Sequence, residues 1–75
     1  MIEKILEIIS TRTGIPSSAL NADTNLFELD VDSYDFISII MDIEYSLNVK
    51  FDDDELVELR TPNDIQEIII KNFAK

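Results

Sequence analysis

Seventy-five residues make one small domain, too short a chain to enclose a deep substrate pocket. Six basic against sixteen acidic residues leave a formal charge of −10, which repels nucleic acid and anionic membranes and favours basic protein partners. At 45% hydrophobic the chain has the apolar content to fold, and without Cys or His it offers no disulfide framework, thiolate metal site or imidazole base.

No apolar run approaches the ~20 residues that span a bilayer, and the N-terminus does not resemble a signal peptide. The cytoplasm is the expected compartment.

Ile2, Ile5, Leu6 and Ile9 recur at amphipathic-helix spacing, with Gly14 placed as a stop and Pro16 beyond it. The first helix is therefore expected over residues 2–13. Residues 15–31 hold Pro, Ser, Asn and Asp without a sustained period, so they read as a connection with one helical turn near residues 17–20. So long a connection needs packing of its own, and Leu20, Leu26, Phe27 and Leu29 are the residues expected to peg it to the core.

A second helix is expected to open at Asp32 or Ser33 and to run to about Asn48, with Asp35 favourable in its first turn. A short third helix follows Phe51, capped by Asp52 or Asp53 and extending through Leu59. The fourth opens at "TPND": Thr61 as N-cap, Pro62 in the first helical position and Asp64 as the capping-box acid. Ile65, Ile68, Ile69 and Phe73 continue at helical spacing. "IQEIII" also suits a strand, but no second strand candidate exists to pair with it. The fold class is accordingly all-α, a bundle of three main helices and one short one with a long first loop.

At ~100° per residue the second helix carries two apolar stripes. Phe36, Ile39, Ile40, Ile43 and Leu47 form the core face, while Tyr34, Ile37, Met41 and Tyr45 fall in a narrow arc nearly opposite. Either the long connection covers that second stripe or a partner does. Asp35 and Asp42 flank it on one side and Glu44 on the other, with Ser33 at its head.

Ser33 as an autonomous nucleophile fails for want of a base, since the chain has no His and its lysines (Lys4, Lys50, Lys71 and Lys75) are remote in sequence. A calcium loop starting at Asp30 has acids at positions 1 and 3, then fails with Tyr34 at position 5, Asp35 at 6 and Met41 at 12. The acid run at residues 52–55 reads first as a helix start and second as a weak cation attractor. No metal site is assigned, and no carboxylate pair is given acid–base work. What remains for Ser33 is a plain N-cap or a hydroxyl modified by another enzyme.

"LFELDVDSYDFISIIMDIEYSLNVKF" resembles the Asp-Ser-Leu segment and following helix of the acyl carrier family, which includes the peptidyl and D-alanyl carriers. The resemblance extends over residues 1–75 in length, acidity and helix order, and implies one carrier domain with the four-helix acyl-carrier-like bundle. It implies 4′-phosphopantetheine on Ser33, transferred from coenzyme A by a phosphopantetheinyl transferase for which Asp32 is part of the recognition signature. Cargo then rides as a thioester on the arm's thiol, which supplies the sulfur that the polypeptide lacks. The implied carrier is monomeric and non-catalytic. Enzymes with basic docking surfaces would meet Tyr34, Asp35, Ile37, Met41, Asp42 and Glu44. Fatty-acid carriers usually have Gly two residues before the Asp and Leu after the Ser, where this chain has Asp30 and Tyr34; Ser38 and Tyr45 stand at positions often acidic. Tyr34 and "TPND" resemble D-alanyl carriers. The combination implies a free-standing carrier of a specialised pathway, the rival from another class being an unmodified acidic adaptor that binds a protein through the second helix.

Overall fold

Gly14 ends the first helix by taking the left-handed conformation (φ 79°) that side chains disfavour, with its N–H donating to the Ser10 carbonyl at 2.8 Å. That stop defines α1 as Ile2–Thr13 in the computed structural model, which describes residues 1–29 and 31–73. Asp30, which departs from the fatty-acid carrier pattern, and the side chain of Phe73, counted above with the fourth helix, lie outside the described residues. The remaining helices are α2 (Ser33–Leu47), α3 (Asp53–Leu56) and α4 (Pro62–Phe73). The regular elements of the described residues are all helices and form an acyl-carrier-like bundle, in which α1 packs against both α2 and α4. No helix of the described residues is long and apolar enough to cross a membrane.

Other helix ends also have a local chemical cause. α2 stops where Asn48 adopts φ 55° and the Val49 N–H reaches back to the Glu44 carbonyl at 3.0 Å. α4 starts with a reciprocal box: Asp64 N–H donates to Thr61 Oγ1, and Thr61 N–H donates to Asp64 Oδ2, each at 3.1 Å. α3 starts with another, between Asp52 and Glu55. The acid run at residues 52–55 therefore supplies a helix cap. α3 is shorter than the expected segment through Leu59. After Leu56 the chain tightens into three-residue turns, Glu58 N–H to Glu55 O and Leu59 N–H to Leu56 O, as Leu59 enters the core.

Ile5 and Ile9 of α1, Ile39 and Ile43 of α2, Leu59, and Ile65 of α4 are almost wholly buried and make one continuous core. Full burial contributes roughly 1.5–3 kcal/mol for each such side chain. "IQEIII" accordingly lies in a helix, with Ile65 and Ile69 turned inward.

The long connection is held to the bundle by two devices. Leu20 and Leu26 insert into the core, and two backbone bonds run across to the start of α4: Leu26 N–H to Arg60 O at 2.7 Å and Asn63 N–H to Ala22 O at 3.0 Å. Residues 17–19 form the anticipated single turn. A further 3₁₀ turn, Leu26–Glu28, is set by the Asn25 side chain accepting the Phe27 N–H. The expectation for Phe27 is corrected here. It is no core peg but stands 54% exposed, because the turn that sends Leu26 inward sends its neighbour outward.

Candidate functional site

Asp32, not Ser33, caps α2. Its backbone is extended and its Oδ1 accepts the Asp35 N–H at 2.8 Å, which satisfies an otherwise orphaned donor of the first turn. Ser33 is thereby the first helical residue, exposed and relieved of capping. Its position at the positive end of the α2 dipole is favourable for an attached phosphodiester, whose charge the nearby backbone N–H groups help to offset. The residues present fit a phosphopantetheine tether: an exposed serine in the first position of α2, with the cap supplied by its neighbour Asp32.

Down the outer face of α2, Tyr34 (78% exposed), Ile37 (45%), Met41 (61%) and Tyr45 (91%) are open, whereas Ile39, Ile40 and Ile43 are buried. The long connection does not cover this stripe. A hollow of about 280 Å³ lies within it, lined by Tyr34, Ile37, Ser38 and Met41 and closed at one side by Arg12 and Asp42.

The three acids named with the stripe have different surroundings. Asp35 is half-buried in the first turn of α2. Asp42 holds the guanidinium of Arg12, with Nη2 at 2.7 Å and Nε at 3.1 Å from Oδ2. That hydrogen bond, together with the charge of Asp42, raises the Arg12 pKa above its ordinary value. Glu44 turns back into the fold, its Oε2 accepting the Phe51 N–H at 2.9 Å. Thus Asp42 sits in the outer hollow with a cation already on it, and Glu44 fastens the link after α2 to the helix. Among the described residues no group of three or more acids is arranged to hold a metal ion.

Beside Ser33 a second hollow of about 350 Å³ opens between the Leu26–Glu28 turn and the first turns of α2, with Leu26, Phe27, Val31, Phe36 and Ile37 as its apolar walls and Asp32 and Ser33 at its edge. Phe27 and Phe36 face each other with ring centroids 5.3 Å apart, and the Arg60 guanidinium lies 5.8 Å from the Phe27 centroid. Sequence reasoning found neither Arg12 nor the Phe27–Arg60 wall. Asn25 two residues before Phe27 is the one local signal for the turn; the ring and ion contacts join segments far apart in the chain.

Known proteins resemble this chain along nearly its whole length. The family described as a phosphopantetheine attachment site matches residues 3–69. An acyl carrier protein of Thermotoga maritima is 33% identical over 75 residues, covering 99% of this chain and 93% of its own length. Acyl carrier proteins of Aster yellows witches'-broom phytoplasma (32% over 75 residues, 99% of each chain) and Lactobacillus johnsonii (33% over 70 residues, 92% of this chain and 88% of its own) are similar to it as well. With that match across the helices that carry Ser33 and the open stripe, the chain belongs to the phosphopantetheine-attachment family of acyl carrier proteins, non-catalytic carriers whose acyl groups ride on covalently bound 4′-phosphopantetheine.

Proposed function

We propose that this chain is a free-standing, single-domain carrier of a specialised fatty-acid, polyketide or lipid-type pathway, with the arm on Ser33 and the outer face of α2 as its docking surface. The observation that supports this most directly is the open stripe of Tyr34, Ile37, Met41 and Tyr45 running from the exposed Ser33. A partner that covers the stripe is brought alongside the tether.

The division of labour follows from what the chain lacks. Ser33 offers the acceptor oxygen, and the transferase supplies the base that takes its proton, since the chain has no His. Bound phosphopantetheine supplies a thiol for thioester chemistry. Asp32 gives the transferase a carboxylate next to the acceptor, and its cap holds the first turn still. Asp35 and Asp42 attract basic surfaces, while Tyr34, Ile37 and Met41 provide close contact, with Met adapting to different partners. Glu44 contributes to the acidic field and to the seating of Phe51.

Mass spectrometry of the protein isolated from its own host reads the cargo. A phosphopantetheine adduct extended by an acyl chain is the expected result. An aminoacyl extension would move the protein to the D-alanyl type of pathway, and a bare polypeptide would favour the unmodified adaptor.

A further inference from the structure

The hollow between the Leu26–Glu28 turn and α2 is apolar, firmly built and adjacent to the one residue proposed to carry a ligand. Its outer wall, Phe27, is exposed yet fixed. The Leu26 N–H is bound to Arg60 O, the Phe27 N–H to Asn25 Oδ1 and the Glu28 N–H to Asn25 O, while the ring packs near both the Phe36 ring and the Arg60 guanidinium. An exposed aromatic with that much support is a pre-organised surface, because little freedom remains to be lost when something packs on it.

Resting on the assignment of the arm to Ser33, we propose that this hollow seats the branched dimethyl segment of the pantetheine arm, the portion nearest the phosphate. Reach decides between the parts of the arm. The quaternary carbon with its two methyl groups follows the serine oxygen by only a few covalent bonds, whereas the thiol and its cargo lie at the far end of a long extended chain. A cavity with Ser33 on its edge is therefore within easy reach of the dimethyl carbon, and the cargo reaches it only if the arm doubles back. Polarity agrees. The dimethyl group is the only branched apolar part of the arm and suits Phe27, Phe36, Val31 and Ile37, while the two amides beyond it keep their hydrogen bonds to water. The phosphate stays outside with the exposed Ser33, away from the apolar walls. Anchored in this way, the arm leaves Ser33 in a preferred direction, toward the Phe27 side of α2, for every cargo.

Proton NMR of the phosphopantetheinylated full chain tests the assignment, with intact mass taken on the same sample to show that the arm is attached. The two methyl singlets of the arm should move upfield from their positions in coenzyme A and show nuclear Overhauser contacts to the Phe27 and Phe36 rings. Phe27→Ala should abolish the upfield displacement while amide dispersion shows the fold retained; if the variant unfolds, the wild-type contacts alone decide. An attached arm whose methyls stay at their coenzyme A positions, without contacts to either ring, overturns the seat and leaves the carrier assignment standing. A chain that takes up no arm at all overturns both.

Discussion

Arg12 of α1 and Asp42 of α2 meet across the helix interface at 2.7 Å, and this pair borders the outer hollow of the open stripe on α2. Both side chains remain about 40% exposed, so solvent screens the pair and its part in stability is small. Its consequence lies in recognition: a basic partner that uses Asp42 must displace a cation already there. Arg12→Gln should leave the melting temperature close to wild type, accelerate association with a basic partner such as the transferase, and steepen the dependence of that rate on salt. Slower association in stopped-flow measurements would show that Arg12 assists docking.

The stripe itself separates contact from folding. Met41 and Ile37 are open, so Met41→Glu or Ile37→Glu should leave far-ultraviolet circular dichroism unchanged while weakening loading or partner binding about tenfold, the loss of roughly 1.4 kcal/mol of interface energy. Loss of helicity in either variant would mean that the stripe supports the bundle.

Ile43 and Ile65, by contrast, are wholly buried. Ile43→Ala or Ile65→Ala should lower unfolding free energy by about 2–5 kcal/mol, read from urea midpoints at constant m-value. In a chain this small such a loss takes much of the total stability. A change below about 1 kcal/mol would contradict the packing described.

Asp32 caps α2, and substitution can separate that cap from the part in transferase recognition proposed for its carboxylate. Asp32→Asn keeps an oxygen acceptor for the Asp35 N–H and removes the charge, so stability should be nearly unchanged while transferase loading falls. Asp32→Ala should also cost about 1 kcal/mol of stability through the lost cap. Equal loading by wild type and Asp32→Asn would remove the carboxylate from the recognition signature.

Crowded carboxylates at a net charge of −10 repel one another, so added salt should stabilise the fold. Relief of about 1 kcal/mol raises the melting temperature by about 4–8 °C in a domain of this size. A melting temperature flat across an ionic-strength series would show that the repulsion is already balanced in the native state.

The parts of the fold that could be read in advance are those with a local chemical cause. Gly14, the Thr61–Asp64 box and the Asp32 cap write helix ends into adjacent residues, and the two stripes of α2 follow from spacing alone. What escaped depends on residues brought together by folding: Arg12 with Asp42, thirty positions apart, Glu44 with Phe51, and Phe27 with Phe36 and Arg60. Phe27 shows the difference most clearly. A large aromatic in an apolar segment looks like core, yet the Asn25 turn spends its inward position on Leu26 and leaves the ring as a wall beside Ser33.

Whether Ser33 is the tether is read by intact-mass analysis after incubation with coenzyme A and a broad-specificity phosphopantetheinyl transferase. Wild type should gain one phosphopantetheine and Ser33→Ala none, with both proteins equally helical. No gain by wild type, or the same gain by Ser33→Ala, would mean that Ser33 does not carry the arm.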